Sequence, residues 1–321
     1  MVRQAGRNAV KCAVMQEFLN KIICGDCIEV LSGMDMPFAD LIFADPPFNI
    51  GYKYDKYHDQ VEGDKYIDWT KDWMTTCKKV LKPTGSFYIA IGDDYAANVK
   101  IIADELGLVM RNWIIWHYTF GQQTKDKFAR SHTHIFYFVS DKKNFTFNDY
   151  AVRVPSDRQL IYDDRRANPA GKIPDDVWED SRVCGTFKER TGWHPCQMPE
   201  SLLMRIIAAS SNQGDCVLDP FVGSGTTAVA AQKLKRNYVG IEISQDYAEK
   251  AKQRLSQMKK IKINELYEMK RLIPDIGYSA KQIIADKKLL EVFASQFTIR
   301  MNSQKQYSAA EVATALKGLA D

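Results

Sequence analysis

The chain has 321 residues, 45% of them hydrophobic, enough to bury a full core in one large α/β domain with room for a smaller unit. Its 44 Lys and Arg against 40 Asp and Glu leave a formal charge of +4, which suits a nucleic-acid partner but equally many metabolic enzymes. No run approaches the ~20 apolar residues of a membrane span, the N-terminal stretch lacks a signal-peptide core, and seven scattered cysteines make an odd count, so a reduced intracellular protein with no membrane role is expected.

Lys21–Cys24 reads as a first strand, followed by Cys24-Gly25-Asp26-Cys27, a C-x-x-C pattern. A redox pair or half a zinc site would use that spacing, but no second C-x-x-C follows, and Cys184, His194 and Cys196 lack standard ligand spacing. Buried small side chains are the preferred reading, and no metal is expected.

The apolar run Leu41–Ala44 reads as a buried parallel strand, so Asp45-Pro46-Pro47-Phe48 falls at a strand's carboxyl end, the edge where open α/β sheets bind ligands. Two prolines fix the backbone and remove two amide donors directly after a carboxylate, leaving a loop that presents acceptors only. That suits a substrate amine: Asp45 and a main-chain carbonyl of the prolines each accept one N–H, while Phe48 offers a stacking face. The plain alternative is a proline-stiffened turn with a capping Asp. Next, Asn49–His58 carries Tyr52, Lys53, Tyr54, Lys56 and Tyr57, and reads either as a loop that closes over substrate or as tyrosines packed on the domain.

Helical spacing over Asp64–Leu81 (Tyr66, Ile67, Trp69, Trp73, Cys77, Val80) ends at Lys82-Pro83-Thr84-Gly85, and Ser86–Ile91 is again a strand, giving a right-handed βαβ unit. Asn112–Tyr118 and Thr133–Ser140 read as two further strands, joined by the polar stretch Gly121–Arg130 with Lys125, Lys127 and Arg130. His132 and His134 alternate along a strand and point the same way, with a structural role preferred. From Asn144 to Trp193 periodicity fades while arginines, glycines and prolines increase, marking a variable recognition segment. Arg153, Arg158, Arg165, Arg166, Arg182, Lys188 and Arg190 there suit phosphates or guanine edges, or are solvated charges.

Pro199–Ser210 resumes as a helix, Asp215–Asp219 as a strand, Gly225–Leu234 as a helix and Tyr238–Ile243 as a strand carrying Glu242 near its end. Phe221–Ala228 formally matches G-x-G-x-x-A, which alone is weak, because a Gly-rich turn before a helix only lets a ligand approach the backbone. Asp219 at the strand end suits a ligand ammonium, Thr226-Thr227 at the helix start suits a carboxylate, and Glu242 stands where an acidic side chain grips ribose hydroxyls. This trio favours S-adenosylmethionine over a nicotinamide; a solvated strand-end Glu and a phosphate loop without its lysine are the alternatives. After Lys262 come short helical segments, such as Lys281–Phe297, and a capping box at Ser308 and Glu311.

Taken together, Asp45–Phe48 and Asp219–Thr227 in this order resemble the catalytic and cofactor loops of β-class DNA amino-methyltransferases of bacterial restriction-modification type, over about Lys21 to Leu255. The resemblance implies a Rossmann-like α/β fold for S-adenosylmethionine-dependent methyl transfer, with a mostly parallel sheet, helices on both faces and a small helical C-terminal region. Its domains would be a catalytic domain over 1–261, with a recognition insertion at about 144–193, and an accessory region over 262–321 that binds DNA, dimerises or packs on the cofactor domain. Ile23-Cys24-Gly25-Asp26 resembles the family's early strand and turn, giving Asp26 the cofactor adenine. Trp193-His194-Pro195-Cys196-Gln197-Met198-Pro199 resembles its H-P-x-Q-x-P element, so His194 and Gln197 shape the cofactor pocket beside Asp219, Phe221, Gly223, Ser224, Gly225, Thr226, Thr227 and Glu242. Phe48 stands where a common variant has Tyr, which keeps stacking and excludes use of a hydroxyl.

The implied reaction is direct transfer of a methyl group to the exocyclic amine of a base flipped from double-stranded DNA, with no covalent enzyme intermediate. An Asp-led motif leans toward adenine N6 over cytosine N4. DNA contacts are expected from Tyr52, Lys53, Lys125, Lys127, Arg130, Arg165, Arg166, Arg182, Lys188 and Arg190. A homodimer and a separately acting cognate restriction endonuclease stay open, in a bacterial cytoplasm. Rivals of other classes are a nicotinamide-dependent oxidoreductase, which leaves Asp45–Phe48 unexplained, and a non-catalytic DNA-binding protein, against which Asp45, Gly223, Gly225 and Glu242 argue.

Overall fold

The structure is a computed structural model that describes residues 17–34, 36–57, 59–118, 124–162, 164–187, 189–257, 265–301 and 306–319. Two compact units form: Met1–Phe147 with Asp176–Lys259, and Asn148–Asp175 with Lys260–Asp321. Among the described residues no helix is long and apolar enough to cross a membrane.

Among the described residues of the first unit, eight strands make one sheet in the order β1-β8-β7-β2-β3-β5-β4-β6. They are β1 (Lys21–Cys24), β2 (Ala39–Ala44), β3 (Leu81–Ile91), β4 (Val109–His117), β5 (His132–Val139), β6 (Val177–Glu179), β7 (Cys216–Asp219) and β8 (Asn237–Glu242). All neighbours run parallel except β5, which is antiparallel to both β3 and β4. From the adjacent pair β2 and β7 the chain winds outward in opposite directions, through α2 (Gly63–Val80) to β3 and through α6 (Thr226–Lys233) to β8. Right-handed crossovers in opposite directions put the two sets of helices on opposite faces. They also open a crevice at the carboxyl ends of β2 and β7, where the strand order reverses.

The strands are buried on both sides. Ile42, Ala44, Phe87, Ile89, Leu218 and Ile241 face a core shared with α1 (Cys27–Ser32), α2 and α3 (Asp93–Glu105), whereas Leu41, Phe43, Tyr88 and Val217, also fully buried, alternate to the other side. Trp73 of α2 is fully buried between the rings of Phe87 and Phe221, at centroid distances of 6.2 and 5.2 Å. It thereby ties the core to the loop after β7.

Helix α3 and α7 (Gln245–Gln257) lie where the sequence reading marks no element. Their buried positions are largely alanines (Ala96, Ala103, Ala248, Ala251), which write only a faint apolar stripe. The other described helix of this unit is α5 (Glu200–Ser210), which follows the variable segment.

That segment does not stay together. Residues 176–193 remain with the sheet, where β6 pairs with β4, while 148–175 fold with the C-terminal helices. The second unit holds a short α4 (Asp157–Leu160), α8 (Glu265–Asp275), α9 (Ala280–Ala285), α10 (Lys287–Met301) and α11 (Ala309–Lys317). Its own core includes Leu272, Ile283, Phe293, Phe297, Val312 and Leu316. Gln296 of α10 donates to the carbonyls of Arg153 and Ala170, both at 3.0 Å, which fastens 148–175 to the helices. The helical run read over Lys281–Phe297 is broken at Asp286, whose extended backbone ends α9 and whose carboxylate accepts the amides of Lys288 and Leu289 at 2.9 and 3.0 Å.

Trp73→Ala is expected to cost about 3–5 kcal/mol of stability, the scale for emptying a large aromatic site, read as a lowered urea midpoint at unchanged slope.

Candidate active site

A cleft of about 570 Å³ lies in the first unit at the strand-order reversal. Asp45 follows β2 and Asp219 ends β7, two neighbours in parallel register at Leu41↔Val217 and Ile42↔Leu218, and each aspartate precedes a proline. Burial pushes the Asp45 carboxyl up to about 8, and the charge of Asp219 adds to the effect. Asp219 is itself raised to about 7 by burial, opposed by hydrogen bonds from the Thr227 hydroxyl and the Phe221 amide. Both groups therefore favour the neutral form far more than a solvated aspartate does.

The catalytic-type loop is braced from below. Tyr66 of α2, fully buried, donates its hydroxyl to the Pro47 carbonyl at 2.5 Å. Phe48 packs on Gly92, where even a methyl group would come within 3.3 Å of the ring. Asn49 adopts φ of 58°, and its side chain pairs with both the amide and the carbonyl of Val61, at 2.7 and 2.9 Å. Buried Asp59 accepts the amides of Asn49, Ile50 and Tyr52 at 2.7, 3.2 and 2.9 Å. The tyrosine-rich stretch after Phe48 is thus folded back on a carboxylate, and rings run from Tyr52 through Tyr54 and Tyr57 to Trp69 at successive centroid distances of 5.7, 6.5 and 5.7 Å. Of this stretch, His58 lies outside the described residues.

On the other wall, the glycine loop needs its glycines for two reasons. Gly223 and Gly225 have φ of 47° and 79°, where a side chain is strained. A Cβ on Gly223 would also stand 2.8 Å from Nε2 of His194. Burial lowers that imidazole to about 4, so it is neutral near pH 7; its Nδ1 lies 3.0 Å from the Cys196 carbonyl, which accepts, so the ring hydrogen sits on Nδ1. Glu242 accepts the amides of Gly223 at 3.0 Å and Ser244 at 2.9 Å, and Arg254 donates to the Ser224 carbonyl and the Thr226 hydroxyl, both at 2.9 Å. Asp55 accepts the Ser244 hydroxyl at 2.7 Å, so the tyrosine-rich stretch is fastened to the end of β8.

The residues singled out from sequence separate into groups. Asp26, Asp45–Phe48, Tyr52, Arg130, Arg182, Arg190, His194, Gln197, Asp219, Phe221, Gly223, Ser224, Thr226, Thr227 and Glu242 all line the cleft. Gly225 is not among the lining residues; it is the residue before α6, where an added Cβ would stand 3.1 Å from that of Ala251. Asp26 caps α1 through the amides of Ile28 and Glu29, at 2.8 and 3.2 Å. The Gln197 amide is spent on the backbone of Thr191 and Glu189, at 2.9 and 2.8 Å, so it shapes the cleft by holding that loop. Lys53, Lys125 and Lys127 are exposed outside the lining; Arg165 and Arg166 belong to the second unit, and Lys188 lies outside the described residues.

His132 and His134 converge on Asp93 at 3.5 and 3.2 Å, together with Arg130 at 2.8 Å. Trp113 donates its indole N–H to Nδ1 of His134 at 2.9 Å, which leaves that ring's proton on Nε2, aimed at Asp93. A nitrogen bearing a proton has no lone pair for a metal, so the group is a hydrogen-bonded strut. Sequence reasoning passed over Tyr66, Asp55, Asp59, Ser244 and Arg254; only Asn49, directly after Phe48, carries a local signal.

Comparison with known proteins agrees with this geometry. The N6/N4 methyltransferase family described as DNA methylase matches residues 39–253. Type II methyltransferase M.HpaI of Haemophilus parainfluenzae is 40% identical over 236 residues, covering 73% of this chain and 74% of that protein. DNA adenine methyltransferase YhdJ of Escherichia coli (strain K12) is 38% identical over 260 residues, covering 78% and 87%. Among solved structures, the M1.HpyAVI-SAM complex superposes with a TM-score of 0.55 at 24% identity, covering 73% of this chain and 98% of that one.

Gly223→Ala is expected to lose about 1–3 kcal/mol, the cost of a strained backbone position, together with its clash against His194. Urea unfolding of Gly223→Ala alone and with His194→Ala separates the two: the second change should recover the clash and leave the strain.

Proposed function

The chain belongs to the N6/N4 DNA methylase family, and on that premise we propose that it moves a methyl group from S-adenosylmethionine to the N6 amine of adenine in double-stranded DNA. The observation that carries this reading is the placement of Asp45-Pro46-Pro47-Phe48 and the Gly223–Thr227 loop on the two walls of one cleft. The lean toward adenine rests on the Asp-led motif and on the relative named as an adenine methyltransferase.

The residues present fit S-adenosylmethionine. Asp219 is a buried carboxylate held near neutrality for want of a positive partner, which a ligand ammonium would supply. Gly223 lines the cleft without a side chain, its φ of 47° carrying the loop past His194. Thr226 and Thr227 at the start of α6 would take the amino-acid carboxylate, Glu242 the ribose hydroxyls and Asp26 the adenine, with Phe221, His194 and Gln197 shaping the walls. When bound, the cofactor supplies an electrophilic methyl group on a sulfonium.

The protein's own part is positioning and electrostatics. Ionised Asp45 accepts one N–H of the amine. Pro47's carbonyl already accepts the Tyr66 hydroxyl, so the carbonyl of Pro46 takes the other N–H. Together they hold the nitrogen with its lone pair directed toward the methyl group. Phe48 stacks on the base, which leaves the duplex at a cost of roughly a few kcal/mol. Tyr52, Arg130, Arg182 and Arg190 meet the nucleotide at the cleft, and Lys53, Lys125 and Lys127 meet nearby phosphates. Arg165 and Arg166, in a unit with its own core, serve as an accessory DNA-binding surface.

Nucleoside mass spectrometry of duplex DNA incubated with the protein and isotope-labelled S-adenosylmethionine should find label in N6-methyladenine. Label in N4-methylcytosine would keep the chemistry and change the base; no label in varied duplexes would overturn the reading. Asp45→Ala should cut transfer at least about a hundredfold, the scale of losing one preorganised hydrogen-bonding group, while cofactor binding persists.

A further inference from the structure

Phe128 is 100% exposed. An aromatic ring standing wholly in solvent gives up a burial gain that a partner with a stacking surface would recover. The ring sits in the connection between β4 and β5, among exposed Lys125, Lys127 and Arg130, with Asp126 the one opposing charge in Thr124–Arg130. The Thr124 hydroxyl donates to the Lys127 carbonyl, closing a turn immediately before Phe128. Just beyond it, Arg130 is anchored by Asp93 at 2.8 Å and Asp94 at 3.5 Å, and Arg130, His132 and Thr133 line the cleft. The foot of the loop is therefore fixed at the cleft, two residues from a free aromatic ring.

Resting on the function proposed above, we propose that Phe128 is a wedge that enters the DNA duplex beside the target base and fills the stack as that base leaves for the cleft. The surrounding cations select a phosphate-bearing partner. Apolar rings inserted between base steps offset the lost stacking and kink the duplex. Lys125 and Lys127 hold the flanking phosphates, which positions the ring without reading sequence.

Two readouts test this with the full chain. One is the rate of labelled-methyl transfer to plasmid DNA; the other is the linking-number shift left in a plasmid relaxed by topoisomerase under saturating protein and S-adenosylhomocysteine. Phe128→Ala should slow transfer on the order of tenfold, about 1.4 kcal/mol in the barrier, since part of the unstacking is no longer offset, and should abolish the shift, while Phe128→Trp keeps both. Transfer by Phe128→Ala at the parent rate, or a topoisomer shift unchanged by the substitution or absent from the parent protein, would overturn the wedge. Failure of the parent protein to methylate any DNA would instead strike the methyltransferase reading, with the topoisomer experiment still deciding whether Phe128 enters the duplex.

Discussion

Two aspartates held on neighbouring strand ends, where burial penalises their charge, are the constraint around which the cleft is organised. The reversal of strand order between β7 and β2 opens the crevice, and the chain places Asp219 at the end of β7 and Asp45 directly after β2. Neither can be relaxed by moving into solvent, because each is followed by proline and rooted in a fully buried strand. A pair of carboxylates raised to about 8 and about 7 is a site prepared for positive charge. In the proposed function that charge comes with the cofactor, and its arrival restores to Asp45 the ionised form in which it accepts an N–H.

Much of the surrounding structure keeps these groups from shifting. Tyr66 holds Pro47, Asp59 gathers three backbone amides of the tyrosine-rich stretch, Asn49 locks onto Val61, and Arg254 spans the glycine loop and the start of α6. Each contact spends a strong hydrogen-bonding group on backbone geometry. This is the support that electrostatic catalysis requires, because donors and acceptors that must reorganise during reaction lose much of their effect. It also alters the role of the stretch after Phe48: in the structure it is a braced wall, fastened to the end of β8 through Asp55 and Ser244.

The parts of the site that were legible in sequence are those whose physics is local. Prolines after an aspartate, and glycines between a strand and a helix, announce their backbone demands within a few residues. The sheet was legible for the same reason, since fully buried strands such as β2 and β7 read as apolar runs. The roles of Asp59 and Tyr66 were not, because their work is done on residues ten and nineteen positions away: Asp59 reads locally as a solvated side chain, and Tyr66 as one more position of an apolar helix face, with nothing to show where its hydroxyl goes. The division of 144–193 was hidden likewise: Gln296, more than a hundred residues on, decides that Arg153 and Ala170 fold with the C-terminal helices.

Calorimetric titration of S-adenosylmethionine into the protein near pH 7, in buffers of different ionisation enthalpy, tests the paired carboxylates most directly. Since Asp45 and Asp219 are raised in the ligand-free cleft, an incoming cation should lower both and expel a proton, so the apparent binding enthalpy should vary with the buffer, and less so in Asp219→Asn. A binding enthalpy independent of buffer across that pH range would contradict the role assigned to the pair.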